Sequence, residues 1–167
     1  MKKQTLINLF NYHYWANRRL WLSVSALSDQ QFSQLQSDGG PSIKTQVVHM
    51  VANENLWVNY LWHNEVEFLQ ESDFQTRSCI QHEWEALEEE ILDFIDELTA
   101  ATLEQLIEPD FLDEDQPMKV WQILLQIINQ ASDNRSQIRL CLDRLGSPLP
   151  AEDFSDFLVD QRQPIPA

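Results

Sequence analysis

The sequence predicts an all-α protein, a four-helix bundle with long crossover connections. Glycine is rare, with three among 167 residues, which leaves few positions for the tight turns of a strand-rich protein. Apolar residues recur at spacings of three and four along four long stretches of the chain, as they do on one face of a helix. Two long connections between these stretches allow crossovers instead of a simple up-and-down order.

The first stretch predicts a helix over residues 5–27. Leu6, Phe10 and Leu20 lie on its apolar face, and His13 and Asn17 lie in the middle of the same face. A short element follows it. At its start, Ser28 and Gln31 have the three-residue spacing of a capping box.

The second helix is predicted from Ser42, as its N-cap, to about Phe68, with an apolar arc broad enough for burial on more than one side. The third helix is predicted over residues 79–98, with Ser78 and Gln81 as a capping box. Acidic residues occupy its outer face, and such a charge run is typical of a solvated surface.

The fourth helix is predicted from Met118 to Leu145, and Gly146 with the following Ser-Pro is a strong stop signal. Residues 100–118 are predicted to be a connection, and a short turn of helix is expected at 154–158. We therefore predict one bundle domain over residues 1–150. Residues 151–167 form an acidic, proline-containing tail that packs on the bundle or trails from it.

Charge and composition exclude several classes of partner. Acidic residues outnumber basic ones 27 to 11, for a formal charge of −16, which repels nucleic acid and anionic membranes. No apolar run reaches the roughly 20 residues of a membrane helix. The polar residues after Lys2-Lys3 do not form a signal peptide, and two cysteines cannot build a disulfide framework. We expect a cytoplasmic protein.

Polar side chains on apolar faces are the candidate functional residues, because bundles build sites from inward-pointing groups. His13 and Asn17 fit a hydrogen-bonded core pair, and His13 also suits a hydrogen bond to Gln130 or Asn134. A row of amide side chains lies along the fourth helix, beside Arg135. The row fits either a buried amide ladder or the polar wall of a cleft, and the periodicity does not distinguish these two structures. These amides are Gln126, Gln130, Asn134 and Gln137.

Three stretches resemble the motifs of a known family. The first is Tyr12-His13-Tyr14-Trp15-Ala16-Asn17, which resembles a Tyr-Asn-x-Trp-Ala-Asn signature. In the second stretch an apolar pair is followed by His49, and then by Glu54 and Trp57. The third runs from Ile128 to Ile138 and resembles Asn-His-x-x-x-His-Arg-x-Gln. Their order and spacing resemble the DinB-like, or YfiT-like, four-helix bundles.

The resemblance implies a divalent metal, often nickel or zinc, held by three histidines, and activity as a thiol-dependent transferase or isomerase. His49 matches one ligand position, but Gln130 and Asn134 stand where the family has histidine. Amide oxygens hold such metals far less tightly than imidazole does. The expected cofactor is therefore none or a weakly bound nickel or zinc ion. One relocated alternative combines His13 and His49 with Glu54 or an amide oxygen.

Two functions follow from the resemblance, and catalysis is left open between them. The first is a DinB-like protein of unassigned reaction, with a degenerate metal site and an amide-lined cavity for a small polar ligand. The second is a metal-dependent thiol S-transferase or hydrolase-type enzyme with His49 as ligand. Six tryptophans exceed the needs of one small core and favour a homodimer. The cavity residues are predicted to be His13, Asn17, Glu54, Gln126, Arg135 and Gln137.

Overall fold

A computed structural model describes residues 1–109, 111–112, 117–147 and 152–162. Two short strands, β1 (Leu106–Ile107) and β2 (Met118–Lys119), pair in antiparallel register. The helices are α1 (Lys3–Ser25), α2 (Asp29–Ser33), α3 (Ile43–His63), α4 (Arg77–Glu97), α5 (Ala100–Leu103), α6 (Val120–Arg144) and α7 (Phe154–Asp160).

Helices α1, α3, α4 and α6 form the bundle. Helix α1 packs mainly on α4 and α6, and α3 packs mainly on the same two helices. Helices α1 and α3 are therefore diagonal partners, and so are α4 and α6. The α1–α3 and α4–α6 connections each cross a diagonal, which confirms the predicted bundle with crossovers.

The core consists of the predicted apolar stripes. Leu6 of α1, Ile43 of α3, Ile91 of α4 and Ile123 of α6 are all fully buried. Complete burial of a side chain of this size stabilises the fold by about 1.5–3 kcal/mol. None of the helices in the described ranges is long and apolar enough to cross a membrane.

Local backbone chemistry corrects two of the predicted boundaries. Helix α3 ends at His63, because Asn64 adopts a left-handed φ of 57°, so the extension to Phe68 is wrong. Helix α4 takes Thr76 as its N-cap instead of Ser78, and the Thr76 side chain accepts a hydrogen bond from the Cys79 N–H at 3.3 Å. The Ser28 and Ser42 caps are confirmed.

The two-stranded sheet was not predicted. Met118 and Lys119 belong to β2 and pair with β1, so α6 begins two residues later than the pattern indicates. Strands of two residues are too short for an alternating apolar pattern to be recognised.

Arg77, the first residue of α4, binds the end of α1. Its Nη1 donates to the carbonyl oxygens of Val24 at 3.0 Å, Ser25 at 3.1 Å and Leu27 at 2.9 Å. Its guanidinium also lies over the Phe32 ring, 4.4 Å from the centroid. A cation from α4 thus satisfies carbonyl groups that the helix end leaves free, and it fixes α1 against α4.

Helix α7 packs on α1, at the turn of helix predicted for residues 154–158. The Tyr12 hydroxyl donates to the Glu152 carbonyl oxygen at 3.1 Å, and the Trp15 indole donates to Asp160 at 3.1 Å. The Tyr12 and Trp15 rings also contact Phe157. Residue 151 and residues 163–167 of the predicted tail lie outside the described residues.

Glu152 lies beside α7 with only 8% of its surface exposed. Its Oε2 finds no hydrogen-bond partner in the described part of the chain. Burial raises the pKa of this carboxyl group, and the nearby charges of Arg135, Arg139 and Arg19 oppose the rise without cancelling it. The folded protein therefore binds this proton more tightly than the unfolded chain does.

We predict that Glu152→Gln stabilises the protein at pH 7 and has no such effect at pH 4. The contribution of Glu152 to stability falls as the pH rises from the ordinary glutamate pKa through the raised value, and glutamine removes that loss. Thermal unfolding of both proteins at the two pH values measures the difference in Tm. Glu65→Gln, at an exposed position, is the control. A Tm gain for Glu152→Gln that is equal at both pH values would contradict the prediction.

Candidate functional site

A central polar network lies where the bundle helices meet. His13, Tyr14 and Asn17 come from α1, Glu54 from α3 and Arg135 from α6, and each is at most 4% exposed. The network joins the diagonal partners α1 and α3 directly, through His13 and Glu54. It contains both signs of charge, which must be paired or hydrogen-bonded at this depth.

The hydrogen bonds of His13 define its tautomer. Its Nδ1 lies 3.2 Å from Nη1 of Arg135, which can only donate, so Nδ1 accepts. Nε2 then carries the hydrogen and donates to Oε2 of Glu54 at 3.3 Å. The amide nitrogen of Asn17 lies 3.1 Å from Nε2, and since both atoms carry hydrogen in this tautomer, that contact is not a hydrogen bond.

Glu54 accepts from two residues of α1. The Tyr14 hydroxyl donates to Oε1 and His13 donates to Oε2, so both carboxylate oxygens have partners. Burial raises the pKa of Tyr14 well above its ordinary value, and the charge of Glu54 raises it further. Tyr14 therefore keeps its proton and serves as a donor. Its hydroxyl also lies 3.4 Å from the Leu87 carbonyl oxygen, which brings α4 into the network.

Arg135 is the buried cation of the network. Its Nη1 donates to Oδ1 of Asn17 at 2.8 Å as well as to His13, and its Nη2 donates to the Ser132 hydroxyl at 2.9 Å. Burial lowers the pKa of Arg135, and the negative charge of Glu152 is the largest opposing influence. The guanidinium and the Glu54 carboxylate are thus bridged by one imidazole. Such a closed network fixes how the four helices fit together.

The helical spacing explains this assembly only in part. His13 and Asn17 are one turn apart, so both point inward with the apolar stripe of α1. The interpretation of His13 and Asn17 as inward-facing core residues agrees with their burial. The partner from α6 is Arg135, however, and not Gln130 or Asn134 as expected.

The family ligand positions lie on another part of the bundle. His49 is exposed on α3, whereas Gln130 and Asn134 are half-buried on α6. Asn53, one turn after His49, donates to Oε1 of Gln130 at 2.6 Å. An amide-to-amide hydrogen bond therefore connects α3 and α6 at one of these positions.

One imidazole and two amides do not fit nickel or zinc, which prefer several imidazole or thiolate donors. Within the described ranges, no group of three His, Cys, Asp or Glu side chains is arranged to hold a metal ion. The alternative metal site with His13 and His49 does not fit a metal ion either. Both ring nitrogens of the buried His13 are engaged inside the network, whereas His49 is exposed.

Gln126 and Gln137 complete the predicted cavity residues. Gln126 is half-buried and Gln137 is exposed, and neither is brought to the central polar network. Gln137 instead lines a separate small cavity of about 170 Å³ together with Gln36 and Gln46. None of the four amides of α6 is fully buried, so they do not form a buried ladder.

A larger cavity, of about 360 Å³, opens between α1 and α4. We call it the aromatic cleft. Trp21 and Trp84 stand perpendicular to each other there, with ring centroids 6.0 Å apart. Tyr14 and Asn17 belong both to the cleft and to the central polar network. The lining residues are Tyr14, Asn17, Arg18, Trp21, Leu22, Gln81, Trp84, Glu85 and Glu88.

Charged groups lie at the outer part of the cleft. Arg18 of α1 reaches across to α4, with its Nη1 2.6 and 2.7 Å from the two carboxylate oxygens of Glu88. Gln81 donates to Oε1 of Glu85 at 2.8 Å. The indole N–H of Trp84 is buried and has no hydrogen-bond partner among the residues that the structure describes.

Sequence reasoning missed the aromatic cleft, although a signal was present. Tyr14, Arg18 and Trp21 follow the i, i+4, i+7 spacing of one helix face, and Gln81, Glu85 and Glu88 repeat it on α4. Each row was visible in the sequence. Which two helices would face each other depended on the crossover topology, which the periodicity left open.

Comparison with known proteins agrees with this architecture. The model of the DinB family matches residues 1–164. Among solved structures, the chain is similar to YfiT from Bacillus subtilis, described as a probable metal-dependent hydrolase with an unusual four-helix bundle topology. That similarity has a TM-score of 0.68 at 15% sequence identity and covers 87% of this chain and 90% of YfiT. No curated protein matches the sequence.

We predict strong energetic coupling between Arg135 and Glu54. Removing one partner of a buried charged pair costs about 3–5 kcal/mol, because the other charge is left uncompensated. Arg135→Met and Glu54→Gln should each cost a large part of this amount. The double variant should lose about 1–3 kcal/mol less than the sum of the two single losses. Urea unfolding of the four proteins measures the coupling.

The control cycle uses the exposed ion pair of Arg144 and Asp38, whose atoms lie 3.0 Å apart. Coupling in such an exposed pair should be much weaker, because water and salt screen the two charges. If the Arg135 and Glu54 losses simply add, the two charges are not part of one network.

Proposed function

We propose that this chain, which belongs to the DinB family, binds a small organic molecule in the aromatic cleft, without a three-histidine metal centre. The observation that supports this most directly is the position of the cleft. Its inner end is formed by Tyr14 and Asn17, which the central polar network holds in place. Ligand sites typically combine an apolar concave surface with a few fixed polar groups.

The dimensions and chemistry of the cleft suit a small ligand. A volume of about 360 Å³ lies within the roughly 300–1,000 Å³ of small-molecule pockets. Two perpendicular indoles provide flat apolar contact area at little cost in conformational entropy.

The central polar network supports binding as a rigid floor and takes no part in chemistry. Glu54, His13 and Arg135 are each committed to internal hydrogen bonds. A general base needs to reach a proton on its substrate, and these groups are closed off from solvent. Tyr14 and Asn17 alone connect the network with the cleft.

A second candidate is the metal-dependent enzyme, of thiol transferase or hydrolase type. The fold similarity to YfiT and the presence of His49 favour it. In this candidate the exposed His49 binds nickel or zinc with help from amide groups. The weak donor set argues against tight binding. Homodimerisation and a cytoplasmic location stay predictions from the sequence.

Gln81 offers a way to test the cleft, because it is half-buried in the lining. We predict that Gln81→Trp fills the space and abolishes binding of neutral aromatic fragments. The probes are indole, phenol and 2-phenylethanol, for which we expect Kd values of about 1 mM from their small size. Indole N–H resonances of Trp21 and Trp84 in ¹H–¹⁵N spectra report binding.

The matched control is Gln30→Trp, which adds the same side chain at an exposed position of α2. It should bind the fragments as the wild type does. Fragments that shift the Trp21 and Trp84 resonances equally in both variants would show that they do not bind in the cleft.

Titration of zinc and nickel separates the two candidate functions. We predict affinities no tighter than micromolar for the metal-stripped protein, because only one imidazole is available at the family positions. His49→Ala should then behave like His82→Ala, which removes another exposed histidine, on α4. Sub-micromolar binding that His49→Ala abolishes and His82→Ala retains would establish the metal-dependent candidate instead.

A further inference from the structure

The charges that line the aromatic cleft do not balance. Arg18 is the basic residue of the lining, and Glu85 and Glu88 are the acidic ones. Glu88 forms an ion pair with Arg18, and both of its carboxylate oxygens lie within 2.7 Å of Arg18 Nη1. Glu85 accepts a hydrogen bond from the neutral amide of Gln81. No ion pair to Glu85 occurs within the described ranges, so the lining keeps one uncompensated negative charge.

The inner end of the cleft adds no net charge of its own. Tyr14 separates the cleft from the buried carboxylate of Glu54, and Asn17 separates it from the buried guanidinium of Arg135. These two charges oppose each other, so the charge of the cleft is determined by the residues of its lining.

The walls of the cleft add a second attraction for cations. Indole rings bind ammonium groups over their faces more strongly than other aromatic side chains do, within about 6 Å of the ring centroid. Trp21 and Trp84 present two indoles at right angles. Beyond the cleft, the formal charge of −16 repels anions and concentrates cations around the protein.

We propose that the aromatic cleft selects a small organic cation, an arylalkylammonium ion that contacts the tryptophans and whose ammonium group is held by Glu85. This inference rests on the proposed function and adds the charge class of the ligand to it. The ammonium group supplies the counter-charge that the lining lacks, and the aromatic part occupies the apolar volume.

Three probes of matched shape test the charge preference: 2-phenylethylammonium, 2-phenylethanol and phenylacetate. They share the phenyl ring and a two-atom chain, and they differ mainly in carrying a positive, zero or negative charge. Titration of each into the wild-type protein, followed by the indole resonances of Trp21 and Trp84, gives three dissociation constants. We expect the cation to bind about tenfold more tightly than the alcohol, and the anion to bind more weakly than either.

Glu85→Gln tests the residue that carries the preference. It should weaken binding of the cation at least about threefold and lower its preference over 2-phenylethanol by a similar factor. Glu89→Gln is the matched control, because it removes an equal charge from an exposed position of α4 outside the cleft lining. That variant should keep the full preference for the cation.

The outcomes separate the two proposals. If the alcohol binds as tightly as the cation and Gln81→Trp abolishes both, the cleft is a ligand site without charge selection, and the present inference is overturned. If no probe shifts the Trp21 and Trp84 resonances, the proposed function fails with it. An equal loss of cation binding in Glu85→Gln and Glu89→Gln would mean that only the overall charge attracts the cation, which also overturns the assignment to Glu85.

Discussion

The buried guanidinium of Arg135 is the constraint on which the structure depends. A cation at this depth is tolerated only when its donors are satisfied and an opposite charge lies near. Asn17 and His13 accept from it, and His13 passes the interaction on to Glu54. Residues of three helices must therefore meet at one point, and Tyr14 adds a carbonyl contact to the fourth. The apolar stripes drive the helices together, while this network allows one way of fitting them.

The same network determines what kind of site the bundle offers. Its inward-facing polar groups form hydrogen bonds with one another. Asn53 and Gln130 also join α3 to α6 by a hydrogen bond between their amides. The space between α1 and α4 stays available to a ligand, and Tyr14 and Asn17 form the edge of the network there. The bundle thus has a rigid polar interior and a separate aromatic cleft. Arg77 supports the cleft by binding the end of α1 to the beginning of α4.

The sequence was sufficient for the fold and for part of the site. Periodicity placed the bundle helices, and the residues of the DinB motifs indicated the family. His13, Asn17 and Arg135 were recognised as inward-facing, yet their mutual contacts depend on which helices are neighbours. Asn64 ended α3 early through a left-handed backbone that asparagine tolerates, which no apolar pattern reveals. The aromatic cleft needed the packing of α1 on α4, a property of the topology and not of either helix.

The most direct test of the account is the protonation pattern of the His13 ring, read from imidazole nitrogen NMR spectra with and without excess zinc. The central polar network requires an Nδ1 without hydrogen, facing Arg135, and an Nε2–H, facing Glu54. We predict this pattern, unchanged by the metal. A hydrogen on Nδ1, or His13 resonances that shift with zinc in a stoichiometric manner, would contradict a network closed on itself and would restore a metal centre to the interior of the bundle.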